Sequence, residues 1–300
     1  MADEYILNNG TSIGSSASDA LHVVLPSERF KDLGNLVDRT REILEMCDVN
    51  KRHVILYPET PFSFDKFFSR REVKEAVGKI SALLAKHGSK SHVVFSVNES
   101  LKRVYAPTFD TSGESLLFTM NNGYVISSAK KGNSVYKVAP KFLQAKGEKS
   151  AQFTFKRSRS RTVYDLERAQ QEHVKKREEL FNEVISKRKN SKSGALFSRV
   201  KLSKEHTIEV KVCRDVVLPV SKSEKNTITL VPAGGIDEPD FIAKLAKHRA
   251  AVIINDVHRE HWRRVQIGDA LYSPDLKGRV TNRGNVNAAL DAKKIRIHFI

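Results

Sequence analysis

The run His53-Val54-Ile55-Leu56-Tyr57-Pro58-Glu59 contains four consecutive apolar side chains, a proline and then a carboxylate. An apolar run of this length that stops at a proline is typical of a strand buried on both faces. Glu59 then stands at the strand end, where side chains enter the loops that build sites. Similar runs recur along the chain, at residues 22–26, 92–97, 207–213, 227–232, 251–255 and 295–300. Helical spacing between several of these runs predicts a layered α/β protein with a mixed sheet.

Local signals predict two helices and one hairpin. The first helix begins at Asn35 as its N-cap and carries Cys47 on its apolar face. The second helix spans residues 70–86, with Ser69 as its cap. Asn121-Asn122-Gly123 lies between two strand-like runs, and these residue types tolerate the positive φ of a tight turn. We therefore expect a hairpin that turns at residues 121–123.

Composition restricts the class of protein. The chain has 300 residues, of which 40% are hydrophobic and 29% charged, which excludes a disordered or fibrous chain. We expect a flexible tail over residues 1–20 and one domain over residues 21–300.

Location is predicted from three further features of the sequence. No apolar run approaches the roughly 20 residues of a membrane-spanning helix, so no membrane partner is expected. The N-terminus lacks a basic flank followed by an apolar stretch, which argues against a Sec-type signal peptide. Two cysteines do not form a disulfide framework, so a reducing, cytoplasmic location is predicted. Export by a route without a readable signal stays open.

The positive charge is concentrated in one segment. Lys and Arg exceed Asp and Glu by 17 over the chain, and residues 151–206 hold fifteen basic and seven acidic residues. This segment is predicted to be a basic helical insertion, with an amphipathic helix over residues 163–186. It is either a solvated surface, a nuclear-localisation signal, or a site for nucleic acid or an acidic partner, with Phe153 and Phe155 stacking on bases. The candidate phosphate-binding residues are Lys156, Arg157, Arg159, Arg161, Lys187, Arg188 and Lys189.

No metal or cofactor is predicted. His258 and His261 lie three residues apart without the further ligands of a zinc site. Gly234-Gly235 lacks the Lys-Ser/Thr that follows a phosphate-binding glycine loop.

Three motifs together resemble the nitrilase, or carbon-nitrogen hydrolase, superfamily, which uses Glu, Lys and Cys in that chain order. Residues 54–60 resemble its strand ending in aromatic-Pro-Glu, and residues 134–138 resemble its Tyr-Lys segment around Lys137. Residues 208–215 resemble its nucleophile strand with the Cys-x-Asp ending at Cys213. The likeness continues through residues 230–233, 246–255 and 273–278 and covers about residues 21–300, apart from the insertion.

The resemblance implies a four-layer α-β-β-α sandwich that pairs into a homodimer. It also implies an amidase-type thiol hydrolase that cleaves a non-peptide C–N bond of a small amide, releasing ammonia through a Cys thioester. Cys213 would be the nucleophile, Glu59 its general base, and Lys137 and the backbone N–H of Arg214 the donors to the oxyanion. A second active-site glutamate is also implied, and Glu148 is the best-placed candidate.

The sequence departs from the family pattern in the run after Lys137 and in the spacing from Lys137 to Cys213. Val138-Ala139-Pro140-Lys141 follows Lys137 where the family has a histidine and a later proline. The insertion lengthens the spacing from Lys137 to Cys213. The alternative is therefore a noncatalytic nitrilase-like scaffold that binds nucleic acid or an acidic partner through the insertion.

Overall fold

The computed structural model shows a mixed α/β fold with two β-sheets. No helix within the part of the chain described is long and apolar enough to cross a membrane. The structure describes residues 20–59, 61–62, 66–88, 90–105, 115–141, 151–155, 179, 182–183, 186, 199–218, 223–236, 238–256, 263–274, 280–283 and 285–300.

The first sheet has eight strands, and its central order is β15-β1-β2-β4-β5-β6. Its strands are β1 (Leu21–Leu25), β2 (Arg52–Leu56), β3 (Phe68–Ser69), β4 (His92–Tyr105), β5 (Ser115–Lys130), β6 (Asn133–Pro140), β7 (Ala151–Phe155) and β15 (Ile295–Phe299). Strands β15, β1, β2 and β4 are parallel, with Leu21 in register with both Ile295 and Arg52. Strand β5 runs antiparallel to β4, β6 and β7.

The second sheet has seven strands in the order β14-β13-β12-β11-β10-β9-β8. They are β8 (Arg199–Lys201), β9 (Thr207–Val210), β10 (Glu224–Ala233), β11 (Arg249–Asp256), β12 (Arg263–Ile267), β13 (Ala270–Pro274) and β14 (Val280–Arg283). Strands β9, β10 and β11 are parallel, so their carboxyl ends meet at one edge of this sheet. Parallel strands at such an edge place their following loops side by side, where sites form.

Three hydrophobic cores hold helices and sheets together. The helices are α1 (Leu33–Met46), α2 (Arg70–Lys86), α3 (Pro239–Lys247) and α4 (Val286–Ala292). One core packs α1 and α2 on the first sheet, a second lies between the two sheets, and a third packs α3 on the second sheet. Successive strand side chains point to opposite faces, so Val54 joins the core between the sheets and Ile55 the core under α1 and α2.

Two local predictions are corrected by the structure. Residues 121–123 do not form a turn, because they lie inside the continuous strand β5. The hairpin between β5 and β6 turns instead at Lys131 and Gly132, with φ of 51° and 76°, as a two-residue turn with positive φ at both positions requires. The N-cap of α1 is Asp32, whose side chain accepts from the Asn35 N–H, rather than Asn35.

Other local predictions are confirmed. Ser69 caps α2 through a capping box with Glu72, which satisfies two backbone donors of the first turn. Cys47 is buried in the core of α1 and α2 as a free thiol.

The described ends of the predicted insertion belong to the sheets. Strand β7 pairs with β5 of the first sheet, and β8 pairs with β9 of the second. Arg199 of β8 pairs with Glu209 and Glu224, which ties β8 to β9 and β10. Residues 179, 182, 183 and 186 of the predicted helix are helical. The seven basic residues proposed to bind phosphate lie outside the described residues, and so do residues 1–19 of the tail predicted over residues 1–20.

Three histidines contact one another on neighbouring strands of the first sheet. His22 Nδ1 lies 2.9 Å from His298 Nε2, and the His22 and His53 rings are 5.2 Å apart. Burial, followed by the charge of His298, lowers the pKa of His22 to about 3. Burial, followed by Arg296, lowers the pKa of His298 to about 4. The folded protein therefore keeps the rings of His22 and His298 neutral at neutral pH.

We expect acid to destabilise the protein through this cluster. A histidine whose pKa is lowered on folding contributes stability above its unfolded pKa near 6.5, and this stability is lost as the pH falls toward 4. Each such histidine adds at most about 1.4 kcal/mol per pH unit to the slope. Urea unfolding at pH 7, 6, 5 and 4 should give a shallower slope for His298→Gln than for wild type. The exposed His248→Gln is the matched control, and equal slopes for His298→Gln and wild type would contradict the expectation.

Candidate active site

Glu59 lies at the carboxyl end of β2 and is 4% exposed. Its backbone N–H donates to the carbonyl of Ala233, the last residue of β10, at 3.1 Å. The Asn255 amide, at the end of β11, donates to Pro26 O at 2.8 Å and Leu56 O at 2.6 Å. The strand ends of the two sheets are thus joined beside Glu59, which places this carboxylate at the edge where the loops of both sheets meet.

Two donors converge on one oxygen of Glu59. Lys141 Nζ lies 2.6 Å from Glu59 Oε1, and Asn121 Nδ2 donates to the same oxygen at 2.9 Å. Lys141 directly follows β6, and its backbone N–H donates to the Asn121 carbonyl at 3.0 Å. Pairing of β5 with β6 therefore places both donors against the end of β2.

Cys213 begins a 3₁₀ turn, Cys213–Val217, shortly after β9. Its φ of 47° lies in the left-handed region, which costs a non-glycine residue free energy. The preceding Val212 packs on Gly123 of β5, where an added Cβ would lie 2.9 Å from Val212 Cγ2. A glycine at position 123 therefore lets the loop that leads into Cys213 approach the first sheet closely.

Burial raises the pKa of the Cys213 thiol to about 12, and the negative charge of Glu59 acts in the same direction. Lys141 opposes this shift, because a nearby cation favours the thiolate. Burial lowers the pKa of Lys141, but the charge of Glu59, its hydrogen bond to Lys141 and the charge of Asp215 help to raise this pKa overall. At neutral pH, the site therefore holds a protonated thiol and a cationic lysine close to one glutamate.

The backbone of Gly234 also influences the thiol, since it lowers the pKa of Cys213. The following loop is held by Asp256, whose carboxylate accepts from Gly235 N–H at 2.8 Å and Ile236 N–H at 3.0 Å. Asp256 ends β11 and is 1% exposed, so this loop is anchored from within the sheet.

Arg214, the predicted oxyanion residue, is the second residue of the 3₁₀ turn. Its guanidinium pairs with Glu238 at 3.1 Å. The first N–H groups of a helical turn have no acceptor within the turn, so the position of Arg214 directly after Cys213 suits a backbone donor.

Lys137 does not lie with Glu59 in the structure, and Lys141 takes the position predicted for it. Lys137 lies within β6 in register with Val125, and burial lowers its pKa. Lys141 lies four positions further along the chain, so the two Cα atoms are about 13 Å apart in extended backbone. The structure thus brings Lys141, and not Lys137, against Glu59, and a catalytic role for either lysine stays a prediction. Glu148, the predicted second glutamate, lies outside the described residues.

Two signals in the sequence could have identified the residues that were missed. Lys141 stands at a strand end after Pro140, the same context that singled out Glu59 and Cys213. Asn121 was assigned to a turn, although the apolar pattern continues on both sides of it. The two cores on the faces of β5 show why it continues.

The arrangement brings together a thiol, a carboxylate and an ammonium group, with backbone N–H groups beside the thiol. Such a set can form and hydrolyse an acyl-enzyme, because the carboxylate moves the proton and the cation stabilises an oxyanion. Among the described residues, no group of three His, Cys, Asp or Glu side chains is placed to hold a metal ion.

Comparisons with known proteins add no family assignment. No family model matches the sequence, and no curated protein matches it. One solved structure to which the chain was compared is the central domain of yeast acetyl-CoA carboxylase, with 11% identity over 93% of this chain and 43% of that chain. The TM-score of 0.19 is too low to indicate a shared fold.

Proposed function

We propose that this protein is an amidase-type thiol hydrolase that cleaves a non-peptide C–N bond with a Cys213, Glu59 and Lys141 triad. The observation that carries the proposal is the buried ion pair of Lys141 with Glu59 at 2.6 Å, beside a thiol whose pKa both residues shift. These three residues follow β6, β9 and β2, so strands of two sheets supply one site.

In the first half of the reaction, the Cys213 sulfur attacks the carbonyl carbon of a carboxamide. Glu59 takes the thiol proton, which is required because the pKa of Cys213 is about 12. Lys141 and backbone N–H groups at residues 214 and 234 stabilise the oxyanion. The C–N bond then breaks, and Glu59 returns the proton to the leaving nitrogen, which departs as ammonia and leaves a thioester.

In the second half, water hydrolyses the thioester. Glu59 takes a proton from the water while the water oxygen attacks the carbonyl carbon of the thioester, and the C–S bond breaks. The sulfur leaves as a thiol after it receives that proton, and the acid product departs. One amide and one water thus give one carboxylic acid and one ammonia.

The proposed fold is the four-layer nitrilase-like α-β-β-α sandwich. It is supported by the three cores, which follow the order helices, sheet, sheet, helix. The small amide substrate, the homodimer, the cytoplasmic location and the role of Glu148 stay predictions. So does binding of nucleic acid by the basic insertion.

Alkylation of Cys213 by iodoacetamide tests the assembled site. Cys47 is an internal control, since burial also raises its pKa to about 12 and no carboxylate or lysine shifts it. If Glu59 acts as a base, Cys213 should react faster than Cys47 at pH 7, by about 100-fold. Mass spectrometry of both peptides between pH 5 and 9 measures the two rates.

The Glu59→Gln variant separates base catalysis from simple charge effects. Removing the negative charge of Glu59 lowers the pKa of Cys213, so electrostatics alone predicts faster labelling. Loss of the base predicts slower labelling, toward the rate of Cys47. Faster labelling in Glu59→Gln, or equal rates for the two thiols in wild type, would count against the proposal and favour a noncatalytic scaffold.

A further inference from the structure

Asn121 has an unused hydrogen-bonding group beside the triad. It lies on β5 and is 8% exposed, and its Nδ2 donates to Glu59 Oε1 at 2.9 Å. Its Oδ1 is buried and has no hydrogen-bond partner among the described residues. A buried acceptor without a partner costs free energy on folding, so the structure retains this group at a cost to stability.

The orientation of the Asn121 amide follows from its neighbour. A carboxylate oxygen that also accepts from Lys141 can only receive a hydrogen bond, so the NH₂ end of the Asn121 amide must face Glu59. The oxygen is therefore the end left over. The backbone carbonyl of Asn121 is itself occupied by the Lys141 N–H, so both ends of the residue are fixed.

Glu59 also determines which part of a bound substrate lies near Asn121 Oδ1. In the proposed reaction, the leaving nitrogen receives its proton from Glu59 and must therefore lie within hydrogen-bond reach of this carboxylate. Oδ1 is on the same planar amide as the Nδ2 that contacts Glu59. A carboxamide nitrogen beside Glu59 thus brings an N–H donor to the vicinity of an acceptor that lacks one.

We propose that Asn121 Oδ1 accepts a hydrogen bond from the N–H of the scissile carboxamide and selects amides over esters. This inference rests on the proposed function. An ester oxygen carries no hydrogen, so it leaves Oδ1 unpaired and places two acceptors against each other. Sites that hydrogen-bond a substrate N–H discriminate strongly against an analogue without it. Asn121 is then a recognition residue for the leaving group as well as a positioning residue for Glu59.

The test compares matched amides and methyl esters of acetic, propionic, isobutyric and benzoic acids. Ammonia or methanol release gives kcat/KM for each compound with wild type, Asn121→Ala and Asn122→Ala. Asn122 is the matched control, because it lies next to Asn121 on β5 but hydrogen-bonds Glu99 at 2.6 Å instead of Glu59. Loss of Nδ2 from Asn121 disturbs Glu59 for both compounds, whereas loss of Oδ1 affects the amide alone.

We expect Asn121→Ala to lower the amide-to-ester ratio of kcat/KM by about 10- to 100-fold, with the ratio unchanged in Asn122→Ala. Equal losses for amide and ester would limit Asn121 to positioning Glu59 and overturn the inference while leaving the proposed function intact. If wild type hydrolyses esters in the panel and no amide, the inference is also overturned. If wild type hydrolyses neither class and Cys213 shows no alkylation that depends on Glu59, the proposed function fails and the inference fails with it.

Discussion

The Cys213→Ala variant is expected to lose amide hydrolysis by about 10,000-fold or more while keeping the fold. The proposed thioester forms at this sulfur, and no other thiol lies near it, since Cys47 is in the core of α1 and α2. The side chain is small and alanine differs from it by one atom, so packing should change little. Ammonia release from the amide panel measures activity, and circular dichroism with thermal unfolding measures the fold.

Cys47→Ala is the matched control for the loss of a buried thiol. It removes the same atom from a buried site with a similarly raised pKa and should keep full activity. Turnover in Cys213→Ala within about tenfold of wild type would exclude a covalent mechanism at this residue.

The second large effect is expected for Lys141 and not for Lys137. Lys141→Met removes the cation 2.6 Å from Glu59 and should lower kcat by about 100- to 1000-fold, the usual cost of losing an oxyanion donor. It should also raise the pKa of Cys213 further, because Lys141 lowers it. Lys137→Met, within β6, should keep its activity. An equal loss of kcat in Lys137→Met and Lys141→Met would contradict this expectation and support a role for Lys137 in the site.

A double variant protects this test against loss of folding. Removing one partner of a buried ion pair costs about 3–5 kcal/mol, because the other charge stays buried. Glu59→Gln combined with Lys141→Met removes both charges and should be more stable than Lys141→Met alone. The activity of the double variant should stay as low as that of Lys141→Met, which would show that the loss of activity does not come from lost stability. Thermal unfolding and turnover are measured for wild type, Lys141→Met and the double variant.

Sequence reasoning identified the candidate residues whose position follows from the end of a strand. Glu59 and Cys213 each follow an apolar run, β2 in the first sheet and β9 in the second, and these strand ends meet where the Glu59 N–H joins the sheets through the Ala233 carbonyl. Lys137 is likewise predicted from the end of a β-like run and from the tyrosine before it, but β6 continues to Pro140, and Lys141 directly after it contacts Glu59. Where a strand ends depends on its pairing partner, here β5, and this partner is not visible in the local sequence.

Asn121 was missed because its neighbours favour a turn. The run Asn121-Asn122-Gly123 has turn chemistry, but β5 pairs on both sides and holds it extended. Tertiary packing overrides local preference in such a segment. Each residue of this run has a separate role in the fold: Asn121 contacts Glu59, Asn122 contacts Glu99, and Gly123 makes room for Val212.

The pairing of β1 with β15 has a consequence for folding on the ribosome. Strand β1 pairs on one side with β2, made soon after it, and on the other with β15, where Leu21 meets Ile295. Until residues 295–299 have been synthesised, β1 is an apolar edge strand with unpaired backbone groups, a form that invites aggregation. Such distant pairing also slows folding, because the loop must close before its contacts form. The nascent chain is therefore most dependent on chaperones while this edge is open.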